Sequence, residues 1–235
     1  DSNSKVMTNL GDGSGIVTTI DRRIQYVAER TLKGYASSGA LIVMDADNGE
    51  ILAWTSAPTF NPNNIESYLQ SGSDCLINKV SQGSYPPGSV FKIVTALAAL
   101  EAGADPYWEF ECTGQTEVEG ITVGCMAGPE GGHGIVNMDK AMALSCNCYF
   151  AKIGEEIGYK KILEVAQRMG FGSVTMDGFP EENNGNLPLQ NETGEWDTSN
   201  ISIGQGQLLV TPIQICKMTA AIANGGYLVT PKIIL

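Results

Sequence analysis

The sequence predicts an α/β fold, an antiparallel strand pair with apolar helices about it, and three observations carry that expectation. First, Ala40-Leu41-Ile42-Val43-Met44 and Ile51-Leu52-Ala53-Trp54 flank Asp45-Ala46-Asp47-Asn48-Gly49-Glu50. Asn-Gly between two apolar runs is the strongest short-range hairpin signal, and the unbroken apolarity of these runs implies cover on both faces. Second, Pro86-Pro87-Gly88 opens a run from Val90 to Leu100 that only Lys92 and Thr95 interrupt. A helix apolar all round belongs in the middle of a domain. Third, Thr211-Pro212-Ile213-Gln214 has the composition of a capping box with proline at the first helical position, so a helix runs from there to Ala223.

Composition bounds the function. The 235 residues are 43% hydrophobic and 17% charged, enough to bury one substantial core. The formal charge is -12, from 14 basic and 26 acidic residues, which argues against nucleic acid or anionic lipid as a partner, since both demand cationic surface. The opening Asp1-Ser2-Asn3-Ser4-Lys5 is no apolar targeting segment, and no apolar run approaches membrane-spanning length. Of the six cysteines, Cys112 and Cys125 bracket a Gly- and Thr-rich stretch, residues 113–124, that reads as a hairpin. That pair is either a disulfide or two reduced thiols, and the spacing leaves both open. No zinc is expected, because there is no CxxC pair and the single histidine, His133, has no partner at ligand spacing.

Along the chain, Ile20, Ile24, Val27, Ala28 and Leu32 set a helical period that ends at Gly34. After the hairpin, residues 58–88 form a long connection with a short helix near Ile65, and long loops of this kind are more often functional than idle. The stretch from Cys112 to Gly134 reads as Gly-rich and irregular. Asn137 to Leu144 reads as a short helix running into Ser145-Cys146-Asn147, followed by helices from Cys148 to about Ile157 and from Lys160 to Met169. Residues 179–197 read as an exposed acidic loop, and residues 227–235 as the approach to another strand.

The chemistry concentrates at Ser89-Val90-Phe91-Lys92. A lysine inside an apolar helix must be paired or lose its proton, and Ser89 lies three residues earlier on the same face. A serine at a helix N-terminus, activated by a desolvated lysine, is a nucleophile candidate with N–H groups near to stabilise negative charge. The structural reading makes Ser89 a simple N-cap and lets Lys92 snorkel to solvent. The spacing alone decides nothing, since Ser2-Asn3-Ser4-Lys5 repeats it in a polar tail. Ser145-x-Asn147, the only Ser-x-Asn here, is either a pair of polar helix caps or a hydroxyl and a carboxamide brought to one cleft. His133-Gly134 reads as structural, and Glu155 and Glu156 as solvated charge.

Taken together, these motifs resemble a known set. Ser89-x-x-Lys92 with Ser145-x-Asn147 is similar to the first two of three motifs shared by penicillin-binding proteins and serine β-lactamases. Thr18-Thr19-Ile20-Asp21-x-x-Ile24-Gln25, Tyr85-Pro86-Pro87-Gly88-Ser89, His133-Gly134, Ser145-Cys146-Asn147-x-Tyr149-Phe150 and Gly204-Gln205-Gly206 with Thr211-Pro212-x-Gln214 extend the likeness to nearly the whole chain. They resemble the transpeptidase domain of monofunctional, class B penicillin-binding proteins. The resemblance implies a β-lactamase/transpeptidase-like α/β fold, a central and mainly antiparallel sheet flanked by helices, incomplete in this chain, with a helical subdomain carrying Ser145. It implies Ser89 as nucleophile, Lys92 as general base, Ser145 as proton relay, and Asn147 as partner of Lys92 and of the substrate amide. The substrate would be a peptidoglycan stem peptide ending in D-Ala-D-Ala, with β-lactams acylating Ser89 as mimics and no cofactor required. Other cell-wall synthesis proteins are expected partners.

The third motif of that family, Lys-Thr/Ser-Gly, is absent; Glu192-Thr193-Gly194 and Cys112-Thr113-Gly114 lack the lysine. Residues 1–235 are therefore read as one transpeptidase domain, incomplete at its C-terminus, from an extracytoplasmic enzyme whose membrane anchor lies outside this chain. Two other readings stay open. One is a class D-type β-lactamase or β-lactam sensor, although such proteins usually carry an aliphatic residue where Asn147 stands. The other is a catalytically inactive fragment.

Overall fold

The hairpin around Asn48-Gly49 is the first fixed point of the computed structural model, which describes residues 15–128, 131–176, 178–179, 181–188 and 198–235. The Ser2-Asn3-Ser4-Lys5 repeat, the Glu192-Thr193-Gly194 string and residues 189–197 of the acidic loop lie outside the described residues. Strand β1 (Gly39–Met44) pairs antiparallel with β2 (Ile51–Ala57), Ile42 opposite Trp54 and Val43 opposite Ala53. The Asp45 carboxylate accepts the N–H groups of Asp47 and Asn48, which closes the connecting turn. Gly49 there has φ 76°, and a Cβ would stand 2.3 Å from the Thr230 carbonyl oxygen, so no other residue fits.

Cover on the hairpin is unequal. β2 alternates buried and half-buried residues along its whole length, while every residue of β1 is half-buried. Helix α1 (Arg22–Tyr35) starts at Asp21, whose carboxylate accepts the Arg23 N–H. It buries Ala28 and Leu32, and its Gln25 carboxamide bonds both the N–H and the carbonyl of Trp54 at 2.8 and 3.0 Å. Those two bonds satisfy backbone groups that an open strand edge would expose. On the other side Ile51 packs with Val80, Met176 and Ile213, joined by Ile42, Met44 and Trp54.

The long connection contains α2 (Ile65–Ser71) and 3-10 turns at Pro62–Asn64 and Asp74–Leu76, and a third 3-10 turn, Gly88–Phe91, leads into α3 (Lys92–Glu101). Helix α3 is the predicted central helix, with Val94, Ala98, Ala99 and even Lys92 buried. The 112–134 stretch is more regular than its composition suggests. β3 (Phe110–Cys112) pairs with β6 (Gly134–Val136), and β4 (Gln115–Val118) pairs with β5 (Ile121–Gly124) around Glu119-Gly120. Both turn residues have positive φ, 50° and 79°, the backbone that a tight two-residue hairpin requires. Then come α4 (Met138–Ala143), α5 (Asn147–Ile157), α6 (Tyr159–Arg168), α7 (Thr198–Ser202) and α8 (Pro212–Ala223).

Two apolar clusters meet along α3. Phe91, Val94 and Ala98 pack with Leu163 and Ala166 of α6, while Ala96 and Ala99 pack with Phe150 and Ile153 of α5. Thr95 donates to the Ser202 carbonyl at 2.8 Å and ties α7 to the same helix. The predicted capping box is present: the Thr211 hydroxyl accepts the Gln214 N–H, and the Gln214 carboxamide oxygen accepts the Thr211 N–H. Thr211 is fully buried, so Thr211→Ala should destabilise the protein by about 1–2 kcal/mol, read as a lower denaturant midpoint at unchanged slope. The last residues reach both hairpin and N-terminal segment, with bridges Glu50 to Lys232 and Thr18 to Ile234.

Candidate active site

Ser89 lies in a single 3-10 turn, Gly88–Phe91, and α3 begins directly after it. It is not the N-cap that the structural reading made it, because the residue in that place before α3 is Phe91. In 3-10 geometry residues i and i+3 eclipse, which sets Ser89 over Lys92, and the Nζ to Oγ distance is 3.2 Å. Ser89 is exposed while Lys92 is 1% exposed, so a reachable hydroxyl sits on a buried amine. Snorkelling is ruled out.

The second half of the site is the corner between α4 and α5. Ser145 has φ 51°, an uncommon conformation for serine that turns the chain sharply out of α4. The Cys146 N–H bonds the Ala141 carbonyl at 2.8 Å, and Cys146 caps α5 with its sulfur accepting the Tyr149 N–H. The corner thereby presents three oxygens to Lys92 Nζ: the Ser145 carbonyl at 2.8 Å, Ser145 Oγ at 3.0 Å and Asn147 Oδ1 at 2.6 Å. Asn147 in turn donates through Nδ2 to the Gly124 carbonyl at 3.0 Å, which fixes the orientation of its amide. All four residues singled out in the sequence thus meet around one nitrogen.

Counting protons shows what this arrangement does to Lys92. The Ser145 carbonyl and Asn147 Oδ1 are pure acceptors and occupy two N–H bonds. A neutral amine has no third proton, so its lone pair is left facing the hydroxyls of Ser89 and Ser145. Desolvation by burial lowers the Lys92 pKa, and the nearby sulfurs of Cys125, Cys146 and Cys148 push it the other way. No carboxylate pairs with Lys92 among the ion pairs of the described residues.

Sequence reasoning missed several supports. The Phe150 ring lies 5.8 Å from Lys92 Nζ. Gly204 accepts the Gly88 N–H at 2.8 Å, and a Cβ on it would stand 2.2 Å from the Gly88 carbonyl oxygen. The signal for that contact is Gly204-Gln205-Gly206, which composition alone does not link to Ser89. A 300 Å³ apolar cavity lined by Leu97, Val165, Met169 and Leu228 touches none of the four site residues.

The sequence expectation of no metal rested on neighbours along the chain, and the fold supplies others. Cys112, Cys125, His133 and Cys146 bring their ligand atoms within 4.8 Å of one another. His133, read as structural, stands among three thiols. All six cysteines are free, so Cys112 and Cys125 are not joined. Hydrogen bonding, first of all from Cys148, holds the Cys146 thiol pKa down to about 4.

The family model described as "Penicillin binding protein transpeptidase domain" matches residues 39–235. The peptidoglycan D,D-transpeptidase MrdA of Acinetobacter baumannii is 33% identical over 257 residues, covering 100% of this chain and 38% of the relative. Stage V sporulation protein D of Bacillus subtilis is 34% identical over 232 residues, covering 94% of this chain and 35% of the relative. The chain therefore spans little more than a third of the length of these two curated relatives. Among solved structures, Helicobacter pylori PBP2 in complex with MreC superposes with a TM-score of 0.84 at 31% identity, covering 94% of this chain and 44% of the other. The imipenem acyl-enzyme complex of penicillin-binding protein A from M. tuberculosis gives 0.81 at 26% identity, covering 93% and 54%. Among the described residues, no helix is long and apolar enough to cross a membrane.

Proposed function

Since the chain belongs to the penicillin-binding protein transpeptidase domain family, we propose that it carries the nucleophilic half of a peptidoglycan D,D-transpeptidase site. The observation that supports this most is the environment of Lys92 Nζ, which spends two N–H bonds on fixed acceptors and turns its remaining valence to Ser89 Oγ. Ser89 passes its proton to Nζ as Oγ bonds to the carbonyl carbon of the penultimate D-alanine. Ser145 Oγ, 3.0 Å from Nζ, relays that proton to the departing nitrogen as the C–N bond breaks. Asn147 holds Lys92 and presents its amide to the substrate backbone. An amine of a second stem then attacks the acyl-enzyme, forming the cross-link and freeing Ser89. A β-lactam enters by the same attack, its ring C–N bond opening while the acyl group stays on Ser89.

The reaction places the protein outside the cytoplasmic membrane, where cross-linking occurs, attached through an anchor beyond these residues. The solved complex of Helicobacter pylori PBP2 with MreC supports cell-wall synthesis proteins as partners here also.

Intact-mass spectrometry after incubation with a penicillin tests the reading. One drug mass should add, map to Ser89, and be lost in Ser89→Ala. The family resemblance implies that the strand bearing Lys-Thr/Ser-Gly supplies one oxyanion-hole N–H; that motif does not occur in the 235 residues, so the chain should acylate about 10²-fold more slowly than a form extended to include it. Labelling at a residue other than Ser89 would sink the assignment. Hydrolytic turnover of the drug would favour the β-lactamase.

A further inference from the structure

We propose that Glu119, at the β4–β5 turn, is a positioning residue for acylation of Ser89, an inference that rests on the transpeptidase reading. It couples the strand end that orients Asn147 to the segment that holds the Ser89 turn. The turn itself is unusual. A two-residue hairpin turn of this hand needs φ above zero at both positions, which Asn-Gly suits best. Here the residues are Glu119-Gly120, with φ 50° and 79°, and glutamate is uncommon in a backbone region where Asn and Asp are enriched. The extra length of the glutamate is put to use. Glu119 Oε1 accepts the Thr198 hydroxyl at 3.2 Å, and the Glu119 N–H donates to Glu155 Oε1 at 3.1 Å. The turn is thus held twice, from α7 through its side chain and from α5 through its backbone.

Both anchors are firm. Thr198 is 2% exposed, and its carbonyl accepts the Ser202 hydroxyl at 2.6 Å. Ser202 lies so close to α5 that a Cβ on Gly154 would stand 1.8 Å from its Oγ. Glu155, which reads as solvated charge in the sequence, is fixed instead by Lys152 at 2.6 Å. Hydrogen bonding from Lys152 holds the Glu155 carboxyl below the usual carboxylate range, so it stays an acceptor for the Glu119 N–H. The next residue, Glu156, is the exposed one.

Two branches run from this turn to the active site. Along the hairpin, Val118 and Val123 are buried against Ala151 of α5, and at the far end of β5 the Gly124 carbonyl receives the Asn147 amide at 3.0 Å. Asn147 Oδ1 bonds Lys92 Nζ at 2.6 Å, so the placing of Gly124 is felt at the nitrogen that takes the serine proton. Along α7, the Ser202 carbonyl accepts the Thr95 hydroxyl of α3, and Gly204, two residues further, accepts the Gly88 N–H of the Ser89 turn. Glu119 is where the branches meet. Without its contact to Thr198 each half of the site still folds, but Gly124 and the Ser89 turn shift independently. A misplacement of about 1 Å is enough to slow a positioned reaction by up to ~10²-fold.

Glu119→Asn separates positioning from a merely structural role. Asparagine suits the turn backbone better, so the melting temperature should hold or rise. It is one methylene shorter and does not reach Thr198, so acylation of Ser89 by a penicillin should slow about tenfold. A residue that served folding alone would move both readouts in the same direction. Glu119→Gln keeps the length and an acceptor oxygen, and should restore the rate to within about twofold. Glu155→Ala should slow acylation as Glu119→Asn does, while Glu156→Ala leaves it unchanged. Should Glu119→Asn misfold, Thr198→Val removes the same bond from the other side and should give the same slowing. Hydrogen exchange reads the anchoring without the reaction: the Glu119 amide should exchange at least about tenfold faster in Glu155→Ala than in Glu155→Gln, which keeps the acceptor. An unmodified chain that is not acylated at all sinks the transpeptidase reading, and the coupling is then decided by exchange alone, equal rates overturning it. With the unmodified chain acylated, the proposal is overturned by an undiminished rate in Glu119→Asn, or by a rate in Glu119→Gln as low as in Glu119→Asn.

Discussion

Replacing Lys92 by methionine is expected to slow acylation of Ser89 by a penicillin ~10³-fold or more, the scale of a lost general base. Methionine keeps most of the side-chain volume in a site that is 1% exposed, so the packing of α3 changes little. What is lost is the nitrogen between Ser89 Oγ and the corner. The Ser145 carbonyl and Asn147 Oδ1 lose their donor, which costs about 1–3 kcal/mol of stability as well. A pH profile separates the chemical effect from the structural one. Burial lowers the Lys92 pKa below its ordinary 10.5. Above that lowered pKa the amine is neutral and can take the serine proton; below it, the ammonium has no lone pair. Acylation by the unmodified protein should therefore rise with pH through the lowered Lys92 pKa, and the residual rate of Lys92→Met should lack that limb.

The same pKa has a thermodynamic side. Between the folded pKa and 10.5 the unfolded chain binds a proton on Lys92 that the folded chain does not. Stability therefore increases with pH across that window and is lost as pH falls to the folded pKa. Lys92→Met should flatten this part of the stability curve, read from denaturant midpoints at a series of pH values.

Local signals in the sequence carried far, and the reason is visible in each case. The hairpin, the capping box and the apolar helix are each specified within a dozen residues, so period and punctuation suffice to read them. Lys92 was legible because a charge inside an apolar run is a physical contradiction that demands a partner. Its partners were not derivable from spacing, since Ser145 and Asn147 lie more than 50 positions away and reach Nζ only through the fold of α3 against α5. The cysteines show the same limit more sharply. Cys112, Cys125, His133 and Cys146 have no ligand-like spacing, and only the close approach of Gly132 to Cys112, with the sharp turn at Ser145, makes them neighbours. The 112–134 stretch reads as irregular because its strands are three or four residues long, too short to show a period of two.

Gly204→Ala should be the most damaging single methyl group near the site. Two costs combine at this position. Gly204 has φ 72°, where an L-residue loses about 1 kcal/mol or more. The added Cβ would also stand 2.2 Å from the Gly88 carbonyl oxygen and 2.7 Å from Phe91 Cβ, and neither atom is the end of a flexible side chain. Phe91 is fully buried and cannot retreat into the core without displacing Phe171, its ring partner at 5.8 Å. The turn holding Ser89 must move instead, breaking the 2.8 Å bond from the Gly88 N–H to Gly204. A total loss of about 3 kcal/mol follows, against a typical domain stability of roughly 5–15 kcal/mol, and the melting temperature should fall by about 10 °C. A displacement of about 1 Å at Ser89 would slow acylation ~10²-fold in the molecules that remain folded. Gly103→Ala is the control, because Gly103 has φ 87° but nothing within 4 Å of its added Cβ. It suffers the backbone strain without the collision. If the two variants lose equal stability and acylate equally fast, the Gly204 contact does not hold the Ser89 turn; the geometry requires that they differ.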